Sequence, residues 1–146
     1  MEYVLMDETH VNGVALLEKI CFSDPWSEKS IASEVNNPLS LWLVALDAGQ
    51  VVGYVGSQSV LGWADMMNLA VHPEYRRQGI GDTLVRKLIA LLKENEVTCL
   101  TLEVRCSNQN AISLYHRIGF RQVGKRSGYY HNPKEDALIL RMEWEV

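Results

Sequence analysis

Three cysteines, Cys21, Cys99 and Cys106, are all that this 146-residue chain carries. An odd number at no metal-ligand spacing argues against a disulfide framework and reads as reduced thiols in the cytoplasm. No apolar run approaches the roughly 20 residues that span a bilayer, so no membrane association is expected. The opening MEYVLMDETH is acidic and lacks the basic start and apolar stretch of a signal peptide. Positive charge is in short supply. Lys and Arg number 14 against 18 Asp and Glu, a net charge of -4, which speaks against a nucleic-acid partner and suits a cationic substrate. The four histidines are scattered, so neither zinc nor another metal is expected. His72, before Pro73, reads as loop construction, and His116 as facing outward. There is no repeat, low-complexity tract or linker, and the expectation is one domain over residues 1–146, long enough to bury a core unaided.

What is present is a change of period along the chain. THVNGVALLEKI puts Val11, Val14, Ala15, Ile20 and one of Leu16 and Leu17 on one helical face. SEKSIASEVNNP opens on Ser27, a plausible N-cap, and must stop by Asn37 because Pro38 disfavours a helical residue before it. Strand-like runs follow in LWLVALD, VVGYVGSQSV and ADMMNLAV. A long helix, the strand CLTLEVR, a short helix around NAISLYHRIGF and a last strand, ALILRMEW, complete the chain. This order predicts a mixed α/β class, a mostly antiparallel sheet flanked by helices.

The junction VHPEYRRQGIGDTLVRKLIALLKEN is the most informative stretch. Leu84, Val85, Leu88, Ile89, Leu91 and Leu92 recur at helical spacing, which starts a helix near Gly81 or Asp82. A helix start leaves about four amides without intrahelical partners and adds roughly half a positive charge. Gly79 and Gly81 would let an anion approach those amides, and Arg76 and Arg77 add formal charge, which together make a pyrophosphate cradle. Glycines that merely let a loop turn would look the same. The P-loop lysine and hydroxyl pair is missing, and Leu84 stands where a dinucleotide fingerprint needs its third glycine.

The pattern R-x-x-G-x-G from Arg76 to Gly81 resembles the acetyl-CoA-binding motif of the GNAT acetyltransferases. LEVRCSNQNAISLYHRIGF, the tyrosine pair Tyr129-Tyr130, EDA and the amino-terminal DPWSEKS further resemble the RimI-like ribosomal-protein-alanine N-acetyltransferases, in order and spacing over nearly the whole chain. The resemblance implies the GNAT fold, acetyl-CoA as co-substrate and a protein amino terminus as acceptor, specifically the amino-terminal alanine of a small-subunit ribosomal protein. It assigns the pyrophosphate to Arg76, Arg77, Gln78, Gly79, Ile80, Gly81 and Asp82. The thioester oxygen goes to the amides of Leu69, Ala70 and Val71, where the family breaks regular strand pairing. Asn108, which could equally cap the short helix, is assigned to the coenzyme's arm.

Acetyl transfer to an amine needs a neutral nucleophile and a proton for the leaving thiolate. At pH 7 deprotonation costs roughly 1 kcal/mol for an α-amine of pKa about 7.7–8.0, and about 4.6 kcal/mol for lysine, so a modest base suffices for an amino terminus. Glu103 lies inside an apolar strand, facing away from Leu102 and Val104. A solvent-facing strand glutamate would read the same, and the resemblance makes it the general base. Tyr115 shares a helical face with Ala111, Leu114 and Ile118. By itself it could be a packed aromatic, and the resemblance makes it the general acid. Trp26, Tyr129 and Tyr130 read as exposed-loop aromatics, able either to receive a peptide or to pack under a loop. Glu135 and Asp136 could neutralise a cationic peptide, although surface acids usually do nothing specific. Two other readings stay open: the same fold acting on lysine or a small-molecule amine, and a non-catalytic acyl-CoA-binding protein.

Overall fold

A computed structural model describes residues 1–145. The chain runs β1 (Glu2–Leu5), α1 (Val11–Cys21), α2 (Glu28–Val35), β2 (Ser40–Asp47), β3 (Gln50–Val60) and β4 (Trp63–Val71). It continues through α3 (Ile80–Glu94), β5 (Cys99–Arg105), α4 (Gln109–Ile118), β6 (Arg121–His131) and β7 (Lys134–Glu143). Seven strands form one sheet in the order β1-β2-β3-β4-β5-β7-β6. Every pairing is antiparallel except β4 with β5. Among the described residues no helix is long and apolar enough to cross a membrane.

Helices cover both faces of the sheet, which is why β2 reads as an unbroken apolar run rather than an alternation. Leu43 and Ala45 join α3 and α4 in one core cluster, while Trp42, Val44 and Leu46 join α1 and α2 in another. The Ser27 side chain accepts from the Ser30 amide as the N-cap of α2, and α2 ends at Val35, ahead of Pro38. Helix α3 starts at Ile80, slightly earlier than its apolar periodicity indicated, because Ile80 is itself buried. In α1, Val11, Val14, Ala15 and Leu17 are buried as expected, but Ile20 is 53% exposed. Glu18 takes the inward position instead.

Strands β1 and β6 carry no signal of the expected kind. β1 is only four residues long, and β6 is an edge strand of mostly exposed polar side chains paired with β7 alone.

The feature that makes a site is where β4 and β5 part. Their parallel ladder covers only Trp63 with Cys99, Ala64 with Leu100 and Asp65 with Thr101. Beyond it β4 stays with β3, and β5 stays with β7. On β4, Asn68 pairs with Gly56 and Met66 with Ser57, so Met67 is an extra residue. Such a bulge bends its strand and increases the local twist. The sheet therefore opens into a cleft without losing either half of its pairing.

Candidate active site

After β4 the chain turns into the amino terminus of α3. The first helical bond runs from the Thr83 amide to the Gly79 carbonyl at 3.0 Å. The amides of Gly79, Ile80, Gly81 and Asp82 have no acceptor among the described residues. Gly79 holds φ +79° with nothing within 4 Å of where a Cβ would sit, so its backbone is open to a ligand. Arg77 is also in the left-handed region, at φ +65°. Four unpartnered amides at the start of a fifteen-residue helix fit a pyrophosphate by hydrogen bonding and by the helix dipole. Ile80 contributes only its amide, since its side chain is in the core. The Asp82 carboxylate is held by Arg86 at 2.7 Å, which offsets its repulsion of an anion. Arg76 turns inward, donating from Nε to the Val71 carbonyl at 3.1 Å, and so braces the loop. Arg77 and Gln78 are exposed, with no side-chain hydrogen bond among the described residues.

Between the parted strands lies a cavity of about 560 Å³, lined by Leu69, Glu103, Asn108, Tyr115, Trp26 and the Tyr129-Tyr130 pair, among others. Asn108 does cap α4, its Oδ1 accepting from the Ala111 amide at 3.2 Å, while still lining the cavity. The ladder fixes which amides of β4 face the opening. His72 donates to the Val52 carbonyl at 2.8 Å, so alternation makes Ala70 and Asn68 the hydrogen-bonded partners of Tyr54 and Gly56. The Ala70 amide therefore points into the sheet, contrary to expectation. The amides of Leu69 and Val71 point toward the cleft. That of Leu69 meets only the Asn68 Oδ1 at 3.1 Å.

Glu103 is partly buried, and its carboxylate sits 3.3 Å from the Arg126 guanidinium on β6, which lies beyond β7 in the sheet. Tyr115 is 5% exposed and edge-packed on Phe120; among the described residues its hydroxyl has only the Met66 sulfur, at 3.8 Å. Burial, with a smaller contribution from Tyr130, pushes the Tyr115 phenol well above its ordinary value. It is therefore fully protonated at neutral pH. The Cys21 thiol also lines the cavity, but burial raises it too, which disfavours a thiolate nucleophile.

The aromatic lining of the cavity comes from two distant segments. Tyr129 and Tyr130 lie within β6, not in a loop, with rings 5.0 Å apart and nearly perpendicular. Tyr130 is pushed up to about 12, first by burial and then by its neighbours Tyr129 and Glu103. The Arg105 guanidinium stacks over Tyr130 at 4.3 Å and donates to the Pro133 carbonyl at 2.7 Å. The loop after α1 reaches across to the same turn: Ser23 Oγ donates to the Asn132 carbonyl at 2.8 Å, and Asn132 Nδ2 to Asp24 at 3.3 Å. Trp26 is half-buried, its ring 5.5 Å from Trp42, so it both packs and lines the cavity. The acids near Tyr130 are occupied. Glu135 accepts from the Ser107 amide at 2.6 Å and Asp136 from the Gly128 amide at 2.7 Å. The Ser107 side chain, ahead of the Ser107 amide, lowers the Glu135 carboxyl, and the Gly128 amide is the first cause that lowers Asp136.

One residue escaped the sequence reading. Glu18 is 1% exposed, with Oε1 accepting from the Trp26 amide at 2.8 Å and Oε2 from Asn68 Nδ2 at 2.7 Å. A signal existed. Glu18 stands four and seven residues after Val14 and Val11, on the apolar face, where a charge is rare.

Residues 11–120 match the acetyltransferase (GNAT) family. The ribosomal protein bS18-alanine N-acetyltransferase of Escherichia coli (strain K12) is 34% identical over 139 residues, 94% of this chain and 93% of that protein. A Bacillus subtilis (strain 168) protein provisionally assigned the same activity is 39% identical over 131 residues, 89% of this chain and 87% of its own. The crystal structure of the ribosomal-protein-S18-alanine N-acetyltransferase from Escherichia coli superposes with a TM-score of 0.91 at 33% identity, covering 99% of this chain and 94% of that one.

Proposed function

The chain belongs to the acetyltransferase (GNAT) family, and from that premise we propose that it acetylates the amino-terminal alanine of ribosomal protein bS18 in the cytoplasm. It is an acetyl-CoA-dependent N-α-acetyltransferase; the acceptor and the residue roles are the proposed part. The observation that carries the reading is the convergence of Glu103, Tyr115 and the cleft-facing amide of Leu69 on one cavity with an aromatic lining. Relatives that match nine-tenths of the chain are named for that activity.

Acetyl-CoA supplies the acetyl group as a thioester, and the α3 amides with Asn108 would hold it. Glu103 draws the acceptor's ammonium group in and takes its proton, directly or through a water. For an α-amine that task costs roughly 1 kcal/mol at pH 7, within reach of a carboxylate that is neither deeply buried nor strained. The Leu69 N–H, fixed by the ladder, can donate to a developing oxyanion, a contribution of about 2.7–4 kcal/mol where such donors have been removed from other enzymes. The Tyr115 phenol, kept protonated by burial, carries the proton for the leaving sulfur. Trp26, Tyr129 and Tyr130 form an aromatic entry wide enough for a peptide end.

The test is acetyl-CoA turnover on an alanine-starting bS18 peptide, an internal-lysine peptide and a polyamine, with mass spectrometry locating the acetyl group. Acetylation of the α-amine is expected. Acetylation of lysine or polyamine alone would sink the proposal, and coenzyme binding without turnover on any amine would point to a non-catalytic binder.

A further inference from the structure

We infer that Glu18 is a positioning residue, whose single carboxylate sets both the acceptor loop at Trp26 and the cleft-facing amide of Leu69 on β4. The inference rests on the preceding functional reading for its consequence in turnover.

A buried carboxylate is costly, and an apolar residue of similar size would stabilise α1 better if packing were its only task. Among the described residues no Lys, Arg or His forms a salt bridge with Glu18. Its partners are two neutral donors from two segments that both line the cavity. One is the main-chain N–H of Trp26, in the loop between α1 and α2. The other is the amide of Asn68, next to the Met67 bulge.

A carboxylate only accepts, so Asn68 must present its Nδ2 to Glu18. That leaves the Asn68 Oδ1 for the Leu69 N–H. The chain of bonds thus runs Trp26 N–H to Glu18, Asn68 to Glu18, and Leu69 N–H to Asn68. Every polarity in it follows from the one acceptor at its centre. An apolar side chain could fill the volume but could not orient Asn68. The acceptor loop and the oxyanion edge consequently share one anchor, although Trp26 and Asn68 stand 42 positions apart along the chain.

Glu18→Gln tests this with a nearly isosteric change. It sets a donor against either the Trp26 N–H or the Asn68 amide. Asn68 then turns over and faces the Leu69 N–H with its own donor. Adding Asn68→Asp restores the polarity: the new amide at 18 accepts from Trp26 and donates to the carboxylate at 68, which accepts from Leu69.

Amide NMR of the free enzyme should show Trp26 and Leu69 both displaced in Glu18→Gln and both returned in the double variant. kcat on the α-amine peptide should fall about 10- to 100-fold and recover most of that loss in the double variant, as for losing and regaining a bond to a charged group. A Leu69 amide unmoved by Glu18→Gln, or a double variant no better than the single, would overturn the inference. If the wild-type enzyme acetylates no α-amine, the functional reading fails, while the amide spectra still decide the coupling. Should Glu18→Gln not fold, Asn68→Ala breaks the same chain from a half-exposed position. It should move Leu69 and lower kcat with the coenzyme affinity unchanged; an unmoved Leu69 amide would again overturn the inference.

Discussion

The two ends of the site are built in different ways. At the start of α3 it is the main chain that is on offer. Gly79 to Asp82 offer four free amides, and the side chains there point into the core, pair with each other or stand in solvent. At the aromatic lining of the cavity, side chains from β5, β6 and the loop after α1 are on offer, held by partners far along the sequence. A receptor made of main chain is local and tolerates variation in side chains. One made of side chains needs the whole fold to assemble it.

Substitutions on the two sides should separate accordingly. The largest effect is expected on the acceptor side, where Glu103→Gln should lower kcat/KM for the α-amine peptide about 100-fold or more while acetyl-CoA affinity, read by calorimetry, stays put. A matched loss of coenzyme affinity would erase the distinction.

Tyr115→Phe should cost about 100-fold in kcat yet less than about 1 kcal/mol of stability, because among the described residues the hydroxyl's only partner is the Met66 sulfur. A thermal melt alongside the kinetics separates a proton donor from a packed ring. The same burial makes a pH prediction. The Tyr115 phenol is raised above its usual value, so kcat/KM should climb as the acceptor amine deprotonates near pH 8 and show no falling limb from this residue near pH 10. A fall there would mean that the phenol titrates as an exposed one does.

On the coenzyme side, Gly79→Ala meets no atom but must hold φ +79°. The strain of roughly 1–2 kcal/mol should appear as a five- to thirty-fold weaker acetyl-CoA affinity, with the peptide KM unchanged. Smallest of all should be Arg126→Ala. Its pair with Glu103 is partly exposed at both ends, and such pairs contribute at most about 1 kcal/mol, so kcat/KM should change less than five-fold. A larger change would show Arg126 to be part of the acceptor receptor.

The same contrast explains what could be read without coordinates. The α3 helix, its glycine start, the Ser27 and Asn108 caps and the interior strands follow from local rules of period and capping. Strand β6 obeys none of those rules, since one partner and an exposed face leave it no apolar alternation, and so Tyr129 and Tyr130 looked like loop residues. Ala70 was grouped with Leu69 and Val71 because residue identity does not record which amide a ladder uses. Glu18 was passed over because its two partners lie 8 and 50 residues away.

By itself, then, the sequence determined the elements whose hydrogen bonds close within a few residues: helices, caps, the cradle and the period of the inner strands. Only the tertiary structure decided the parting of β4 from β5, the direction of each β4 amide and the joining of the Trp26 loop to β4 through Glu18. Those depend on pairings between distant strands, and a strand's register is set by its partner.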